Sequence, residues 1–311
     1  MPRLIRRALL ASLAGLGASA AFGSAIRSAP ANAAPGPILK RLIPKTGEEI
    51  PAIGMGTWIT FNVGADPALR EARVKVMWAF FQDVGGMIDS SPMYGSSEDV
   101  VGEGLRRIAN PSPLFSATKV WVVGQAAGVR QMDNSRRLWG RDKFDLMQVH
   151  NLLDWETHLA TLARHKAEGR VRYVGITTSH GDRHALMEKI MTTQPLDFVQ
   201  FSYNVLDREV ERRLMPLAAE RGLAVIVNRP FRTGDLFGTV ARHRLPAWAA
   251  EFDCANWAQF FLKFVVSHPA VTCAIPATSR ADHMEENMGA LVGRLPDAKT
   301  RERMIRHVES L

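Results

Sequence analysis

Four side chains that can hold or move a proton stand at the ends of apolar runs. Asp89 and Tyr94 lie in MIDSSPMYGSSE, Lys119 lies in ATKVW, and His150 ends LMQVH. A tyrosine with an ordinary pKa near ~10 is a poor acid at neutral pH. An adjacent ammonium stabilises the phenolate and lowers that pKa, and Asp89 could orient the lysine. With a hydrogen bond from His150, the set could polarise a carbonyl group and protonate its oxygen.

Each of these residues also has a structural interpretation. Asp89 could cap a turn, Tyr94 could simply pack, Lys119 could extend its stem toward solvent, and His150 could be a hydrogen-bonded core residue. Their shared position, at the ends of three consecutive apolar runs, favours one joint site. Because no side chain donates hydride, carbonyl reduction by this set requires a nicotinamide cofactor.

The elements that must position these residues form a repeat of strand and helix. Between the strand candidates the apolar residues follow helical spacing. Eight such units predict an α/β fold of one domain, a (β/α)₈ TIM barrel, whose active face lies at the carboxyl ends of its strands. Residues 38–52 predict an N-terminal hairpin that closes the barrel bottom. The predicted strands cover residues 53–57, 86–90, 115–120, 146–150, 171–177, 198–202, 223–228 and 271–276.

Composition restricts the classes of function. Residues 1–33 carry four of the 39 lysines and arginines and no acidic residue, so without them the formal net charge falls from +8 to +4. No dense basic cluster remains, so we expect no nucleic-acid partner. Metal-binding and serine-nucleophile motifs are missing, so no metal is expected. Cys254 and Cys273 are predicted to be buried separately rather than paired.

The N-terminus predicts a targeting segment. Arg6 and Arg7 precede a weakly apolar stretch over residues 8–26, and a small-residue cleavage pattern ends at Ala33. This order resembles a twin-arginine export signal. We therefore predict a cleaved signal peptide at 1–33, an enzyme domain at 34–311, the export machinery as a partner and a periplasmic or otherwise exported product. An uncleaved membrane anchor is the alternative, but its Gly and Ser content disfavours a stable span.

An ordered series of motifs resembles the aldo-keto reductase superfamily over most of the chain. The resemblance implies a (β/α)₈ barrel that binds NAD(P)H in extended form. It assigns the family's Asp, Tyr, Lys and His tetrad to the four residues above, with Tyr94 as the general acid. The matching motifs are GMGTW (54–58), IDSSPMYGSSE (88–98), ATKVW (117–121), DLMQVH (145–150), RYVGIT (172–177), QFSYN (200–204) and IPATSRADHMEEN (275–287).

The resemblance also implies a set of cofactor contacts. Gln200 matches the residue that holds the nicotinamide carboxamide, and Thr177 matches its serine partner. Thr178 stands where an asparagine is usual, and Asn228 stands where an aromatic ring usually stacks on the nicotinamide. The full implied set is Thr57, Thr177, Thr178, Gln200, Asn228, Gly234, Leu236, Thr278, Arg280, Glu286 and Asn287.

The choice of cofactor depends on the adenosine end. Arg280 could bind the 2′-phosphate through its planar fork of donors, which favours NADPH. NADH stays possible, because Ala277 and His283 replace basic residues of the family pattern. Trp58 and Trp121 match apolar walls of the substrate pocket, although they could also only pack the barrel rim.

The leading hypothesis is an exported NAD(P)H-dependent oxidoreductase that reduces a small-molecule aldehyde or ketone to an alcohol, or catalyses the reverse reaction. One alternative is a barrel that retains NADP as a non-catalytic sensor or binding subunit. Another is an isomerase or lyase that uses bound cofactor reversibly. The intact tetrad favours the reductase, and the altered nicotinamide contacts favour the sensor.

Overall fold

The computed structural model describes residues 36–109 and 111–311. The predicted signal peptide at 1–33, and the predicted domain start at residue 34, lie outside the described residues. Two short strands precede a barrel of eight parallel strands. The strands are β1 (Lys40–Leu42), β2 (Glu49–Pro51), β3 (Met55–Gly56), β4 (Gly86–Asp89), β5 (Leu114–Val120), β6 (Phe144–His150), β7 (Val171–Thr177), β8 (Phe198–Ser202), β9 (Ala224–Asn228) and β10 (Val271–Ala274).

The eight barrel strands lie side by side in the order in which the chain makes them, from β3 to β10. Two isolated bridges, from Ile53 to Ala274 and from Gly56 to Ala277, join the first barrel strand region to the last. The prediction of a (β/α)₈ barrel is thus confirmed. The pairing of the first barrel strand region with the last, which we call the seam, is less extensive than the predicted runs 53–57 and 271–276 suggest. Among the described residues it consists of these two isolated bridges.

The N-terminal hairpin forms as predicted and contributes to the interior. β1 and β2 pair antiparallel, with Lys40 opposite Pro51. Ile43 and Ile50 are buried in one apolar cluster with residues that point into the barrel from its strands, such as Phe115. Burial of each large apolar side chain contributes about 1.5–3 kcal/mol. The hairpin therefore fills the end of the barrel away from the strand tips that carry the candidate site.

Helices surround the strands, and the main apolar core lies between the two layers. Cys254 and Cys273 are buried and unpaired, as predicted. No described helix is both long and apolar enough to cross a membrane. The helices are α1 (Pro67–Asp83), α2 (Ser97–Arg107), α3 (Gln125–Trp139), α4 (Trp155–Ala167), α5 (His184–Thr193), α6 (Leu214–Glu220), α7 (Asp235–Val240), α8 (Trp257–Val266), α9 (Ala281–Met288) and α10 (Ala298–Glu309).

The register of the strands sets polar residues side by side at one end of the barrel. Lys119 of β5 is opposite Gln148 of β6. His150, at the end of β6, is opposite Thr177 of β7, and Thr177 is in turn opposite Gln200 of β8. Because neighbouring parallel strands hold a fixed register, these side chains form a continuous polar layer at the strand tips.

Candidate active site

The segment after β4 builds the loop that carries the tyrosine. Ser91 is extended and its side chain accepts a hydrogen bond from the Met93 amide, which starts a single 3₁₀ turn over Pro92–Tyr94. Gly95 follows at φ 59°, where a Cβ would lie 2.3 Å from Asn62 Oδ1. Only glycine fits that position without displacing Asn62. The turn therefore fixes Tyr94 beside the strand tips.

A buried ion pair lies beneath this loop. The Lys119 ammonium donates to a carboxylate oxygen of Asp89, and both side chains are almost wholly buried. It also donates to the Ser90 carbonyl at 2.7 Å. Gln148 donates to the other Asp89 oxygen at 2.9 Å. Burial is the largest single influence and would lower the pKa of Lys119. The charges of Asp89 and Tyr94 and the hydrogen bonds to them together outweigh burial, so the net pKa is raised and Lys119 is an ammonium at neutral pH.

Tyr94 lies above this pair on the wall of a cavity. The Lys119 ammonium is 5.2 Å from the centroid of the Tyr94 ring. Burial raises the pKa of Tyr94, and the nearby charge of Lys119 opposes that rise. Lys119 acts in the expected direction, but burial prevails, so the net pKa of Tyr94 lies above the ordinary value and not below it. The phenol consequently keeps its proton at neutral pH and can donate it.

His150 faces Tyr94 edge to face, with 5.6 Å between ring centroids. Its Nδ1 lies 2.8 Å from the hydroxyl of Ser91. Burial lowers the pKa of His150 to about 2, and the charges of Lys119 and Arg183 act in the same direction. The imidazole is therefore neutral. The Ser91 hydroxyl can donate to Nδ1, and in that tautomer the ring proton is on Nε2.

These groups border a cavity of about 550 Å³ at the strand tips, a volume within the range of small-molecule sites. Apolar and aromatic side chains form one wall, and hydroxyl and amide groups follow the strand ends. Residues of the site that line it are Thr57, Trp58, Asp89, Tyr94, His150, Thr177, Gln200, Asn228, Arg229, Gly234 and Thr278. In the part of the chain that the structure describes, no cluster of three His, Cys, Asp or Glu could hold a metal ion.

Gln200 is the centre of a hydrogen-bond network below the cavity. Its amide nitrogen donates to Asp89 and to Gln148, both at 3.1 Å. Its oxygen accepts from Thr177 at 3.0 Å and from Asn228 at 3.3 Å. Both donors and both acceptor positions of this side-chain amide are thus in use. The network links the carboxamide-binding residues implied by the sequence directly to the Asp89–Lys119 pair.

Asn228 and Thr178 take part in this network rather than presenting a stacking surface. The Asn228 amide also donates to the Thr178 carbonyl at 3.1 Å, and its oxygen accepts from Ser202 at 2.8 Å. Thr178 is buried and directs its hydroxyl to the His180 carbonyl. Asn228 remains partly exposed on the cavity wall, with its amide hydrogens already donated to Thr178 and Gln200.

Of the residues implied for the adenosine end of the cofactor, some line the cavity and others do not. Thr278 and Gly234 line the cavity, and Gly234 has φ 103° with open space around it. Arg280 is exposed and forms an ion pair with Asp282. Leu236 is fully buried in the core, so its side chain does not reach the cavity. Glu286 and Asn287 both lie on α9, Asn287 buried and Glu286 exposed, and neither lines the cavity.

Hydroxyl and amide groups of Thr57, Thr177, Gln200, Asn228 and Thr278 line the cavity. These hydrogen-bonding groups fit the polar parts of a nicotinamide nucleotide. Trp58 belongs to the cavity wall. Trp121 lies at the rim, 6.4 Å from His150 between ring centroids, and does not line the cavity. Sequence reasoning missed two residues of the site, Ser91 and Arg229. The position of Ser91, between Asp89 and Tyr94, was the available signal for the first.

A closed (β/α)₈ barrel with a proton-transfer set at its strand tips defines a class of barrel oxidoreductases. The model of the Aldo/keto reductase family matches residues 52–303. The chain therefore belongs to the aldo/keto reductase family, whose members are NAD(P)H-dependent oxidoreductases.

Individual relatives are distant. An NADH-specific methylglyoxal reductase of Escherichia coli (strain K12) is 25% identical over 234 residues, which cover 63% of this chain and 68% of that protein. The aldo-keto reductase YhdN of Bacillus subtilis (strain 168) is 25% identical, with 63% of each chain covered.

Solved structures share the whole fold. The thermostable aldo-keto reductase Tm1743, solved with the inhibitor epalrestat, is 26% identical with a TM-score of 0.69, and 88% of this chain and 99% of that chain are covered. The holo form of the aldo-keto reductase AKR11C1 from Bacillus halodurans superposes with a TM-score of 0.71 at 20% identity, and covers 87% of this chain and 96% of its own.

Proposed function

We propose that this protein reduces an aldehyde or ketone to an alcohol, or catalyses the reverse reaction, with Tyr94 as the general acid. One observation carries the proposal: the neutral phenol of Tyr94 and the neutral imidazole of His150 meet at the same cavity wall, 5.6 Å apart between ring centroids. Two neutral hydrogen-bond donors converging on one point can hold a carbonyl oxygen and stabilise the negative charge that develops on it.

Each side chain of the set has a separate role in this proposal. His150 orients the carbonyl oxygen through Nε2–H, and Tyr94 transfers its phenolic proton to that oxygen. Lys119 stabilises the phenolate that remains, and Asp89 holds Lys119 in position. In the reverse direction the phenolate takes the proton back from the alcohol. General acid catalysis of this kind contributes about 10²- to 10⁴-fold in rate.

The hydride comes from a nicotinamide cofactor, for which NADPH is our proposal and NADH a possible substitute. Gln200, Thr177 and Asn228 would hold its carboxamide, and Thr278 would contact its adenosine end. Relatives with both preferences support the assignment to this pair of cofactors: an aldo/keto reductase of Klebsiella pneumoniae, 24% identical with a TM-score of 0.66 over 84% of this chain and 93% of its own, was solved with NADP and acetate. The Escherichia coli relative is NADH-specific.

The substitution Tyr94→Phe tests the general acid. We expect it to lower kcat for NADPH-dependent reduction of a panel of aldehydes by at least about 100-fold, with little change in the dissociation constant for NADPH. Tyr173→Phe is a matched control, because it removes a phenol that bonds Thr46 and Glu48 near the hairpin. Equal turnover by wild type and Tyr94→Phe would show that another group supplies the proton.

We also propose that the protein is exported by the twin-arginine route and works outside the cytoplasm. The support is the order of Arg6-Arg7, apolar stretch and cleavage pattern in residues 1–33. This route carries folded proteins, so the cofactor could be bound before export.

A second candidate function, a barrel that retains its nucleotide without turnover, is favoured by one observation. Asn228 takes the place of a stacking ring and is bonded into the Gln200 network. An isomerase or lyase cycle on bound cofactor is a variant of the same idea. Nucleotide that copurifies with the exported protein, and that no aldehyde oxidises, would favour these candidates over the reductase. Mass spectrometry of that nucleotide would identify it.

A further inference from the structure

Arg229 places a positive charge on the cavity wall. It follows β9 directly, and its guanidinium lies 5.7 Å from the ring centroid of Trp58, over the face of that ring. Both side chains line the same cavity as Tyr94. Within residues 36–109 and 111–311, no carboxylate lies within 4.0 Å of this guanidinium and no protein group accepts a hydrogen bond from it.

The unpaired state of Arg229 differs from that of comparable charges in the chain. Asp89, another charged group of the cavity wall, is neutralised by Lys119. Arg303 is stacked on Trp248 in a similar way, at 4.1 Å, but is also paired with Glu251. The cavity therefore presents a net positive charge from Arg229. Held against an aromatic face, a planar guanidinium keeps its donors directed at an incoming anion.

The backbone holds Arg229 close to the reacting end of the cavity. Its φ is 50°, and its carbonyl accepts hydrogen bonds from Asn204 at 3.3 Å and from the Arg232 amide at 2.9 Å. The charge of Arg229 also helps to lower the pKa of Tyr94, although burial, which raises it, prevails. An anion on this guanidinium would thus lie within electrostatic reach of the phenol.

We propose that Arg229, supported by Trp58, binds a carboxylate carried by the substrate, so that the preferred substrates are carbonyl compounds that also bear an acid group. This inference rests on the proposed reductase function and names its substrate class. The rival source of the same anionic chemistry is the pyrophosphate of the cofactor. Evidence that Arg229 binds the pyrophosphate of the cofactor would overturn the proposal.

A matched pair of aldehydes tests the proposal. 4-Carboxybenzaldehyde and methyl 4-formylbenzoate differ in the charge at the far end of the ring. We expect the wild type to show a higher kcat/KM for the acid, and Arg229→Gln to lose about tenfold to hundredfold of that preference, since a hydrogen-bonded charge is removed. Arg229→Lys should retain part of it, and the control Arg303→Gln all of it.

Other kinetic outcomes would overturn the proposal. One is an acid-to-ester ratio that is the same in wild type and Arg229→Gln. Another is a rise in the KM for NADPH in Arg229→Gln with an unchanged ratio, which would assign the guanidinium to the pyrophosphate. Raising the ionic strength should reduce the preference of the wild type only, because salt screens the charge.

A binding measurement separates this proposal from the reductase function itself. If the wild type reduces neither aldehyde, the proposed function fails, but calorimetry with NADP⁺-loaded protein still tests Arg229. Terephthalate carries two carboxylates, one for each proposed anchor, the Tyr94–His150 pair and Arg229, whereas 4-carbamoylbenzoate lacks the second charge. We expect tighter binding of terephthalate by about tenfold or more, lost in Arg229→Gln. Equal affinities for the two ligands in the wild type would overturn the inference.

Discussion

The hydroxyl of Ser91 is placed to set which nitrogen of His150 carries the proton. Ser91 is fully buried, and its oxygen accepts from the Met93 amide at 3.2 Å; among the described residues, His150 Nδ1 is its other close polar contact. With the Ser91 hydrogen on Nδ1, the imidazole presents Nε2–H to the cavity. A neutral imidazole of the opposite tautomer would present a lone pair, which repels a carbonyl oxygen.

We predict that Ser91→Ala lowers kcat about five- to tenfold, because the hydrogen bond that fixes the tautomer, worth about 1 kcal/mol, is lost. The KM for NADPH should not change. Nitrogen-15 NMR of the histidine ring should show a mixture of tautomers in Ser91→Ala and mainly the Nε2–H form in the wild type. Ser91→Thr, which keeps the hydroxyl, should restore both readouts. Identical ring spectra in wild type and Ser91→Ala would contradict this role.

At this scale the sequence was informative where residue type and strand position coincide. Asp89, Tyr94, Lys119 and His150 could be found because three of them lie at the carboxyl end of a strand and Tyr94 lies on the loop after one, and the carboxyl ends of the barrel's parallel strands lie at one end of the barrel. Ser91 and Arg229 could not be assigned, because a serine in a loop and an arginine after a strand have many uses. In the part of the chain that the structure describes, the 2.8 Å contact to His150 distinguishes Ser91, and the lack of a carboxylate within 4.0 Å of its guanidinium distinguishes Arg229.

At the scale of elements, one lysine ties α8 to two loops. The Lys263 ammonium donates to the carbonyls of Phe252, Asp253, Val292 and Arg294, at 2.8, 3.0, 2.8 and 3.2 Å. Its side chain is fully buried, and burial lowers its pKa. Buried carbonyl groups need partners. One side chain therefore satisfies the connection before α8 and the connection after α9 together.

We predict that Lys263→Met lowers the free energy of unfolding by about 2–4 kcal/mol, because one buried and three partly buried hydrogen bonds to carbonyls are lost at once. Thermal unfolding followed by circular dichroism measures the effect. The exposed Lys299→Met serves as the control and should stay within about 0.5 kcal/mol of the wild type. Hydrogen exchange should report faster opening of the segments around Asp253 and Val292. A loss confined to the range of the control would contradict this account.

The positions of the barrel strands were predictable because a short apolar run between helices is typical of a parallel strand that is buried on both faces. The pairing between the first and the last strand regions was not predictable. Nothing in the runs 53–57 and 271–276 indicates that they meet through isolated bridges only. Closure depends on how all eight strands tilt and stagger together, which no single segment encodes.

For the whole molecule, the N-terminal segment leads to a prediction about the compartment in which the protein works. We predict that replacing both Arg6 and Arg7 with Lys retains the precursor in the cytoplasm, because the twin-arginine pair is the recognised feature of that route. Fractionation followed by immunodetection measures the distribution. Exchanging Arg27 for Lys controls for the loss of an arginine elsewhere in the segment. Unchanged recovery outside the cytoplasm for the double variant would refute this route.

The overall architecture followed from the count of strand–helix units, and the fold comparisons agree with it along nearly the full length of the solved structures. The ligand specificity could not be predicted from that count. The cavity draws residues from most of the strand tips and their loops, so its shape depends on side-chain placement. Asn228 illustrates this: the residue type was known, but its bonds to Gln200 and Ser202 were not.

The saturated amide of Gln200 has a consequence for selectivity. A carboxamide that binds there cannot simply add hydrogen bonds, because every donor and acceptor of Gln200 is already engaged. A carboxamide that bound Gln200 would have to replace one of these bonds, and the longest is the one from Asn228 at 3.3 Å. The Asn228 amide, released from Gln200, could then donate to the bound carboxamide. Recognition by Gln200 would therefore require a ligand whose amide replaces the Asn228 amide. A ligand without an amide would leave the hydrogen bonds of Gln200 as they are.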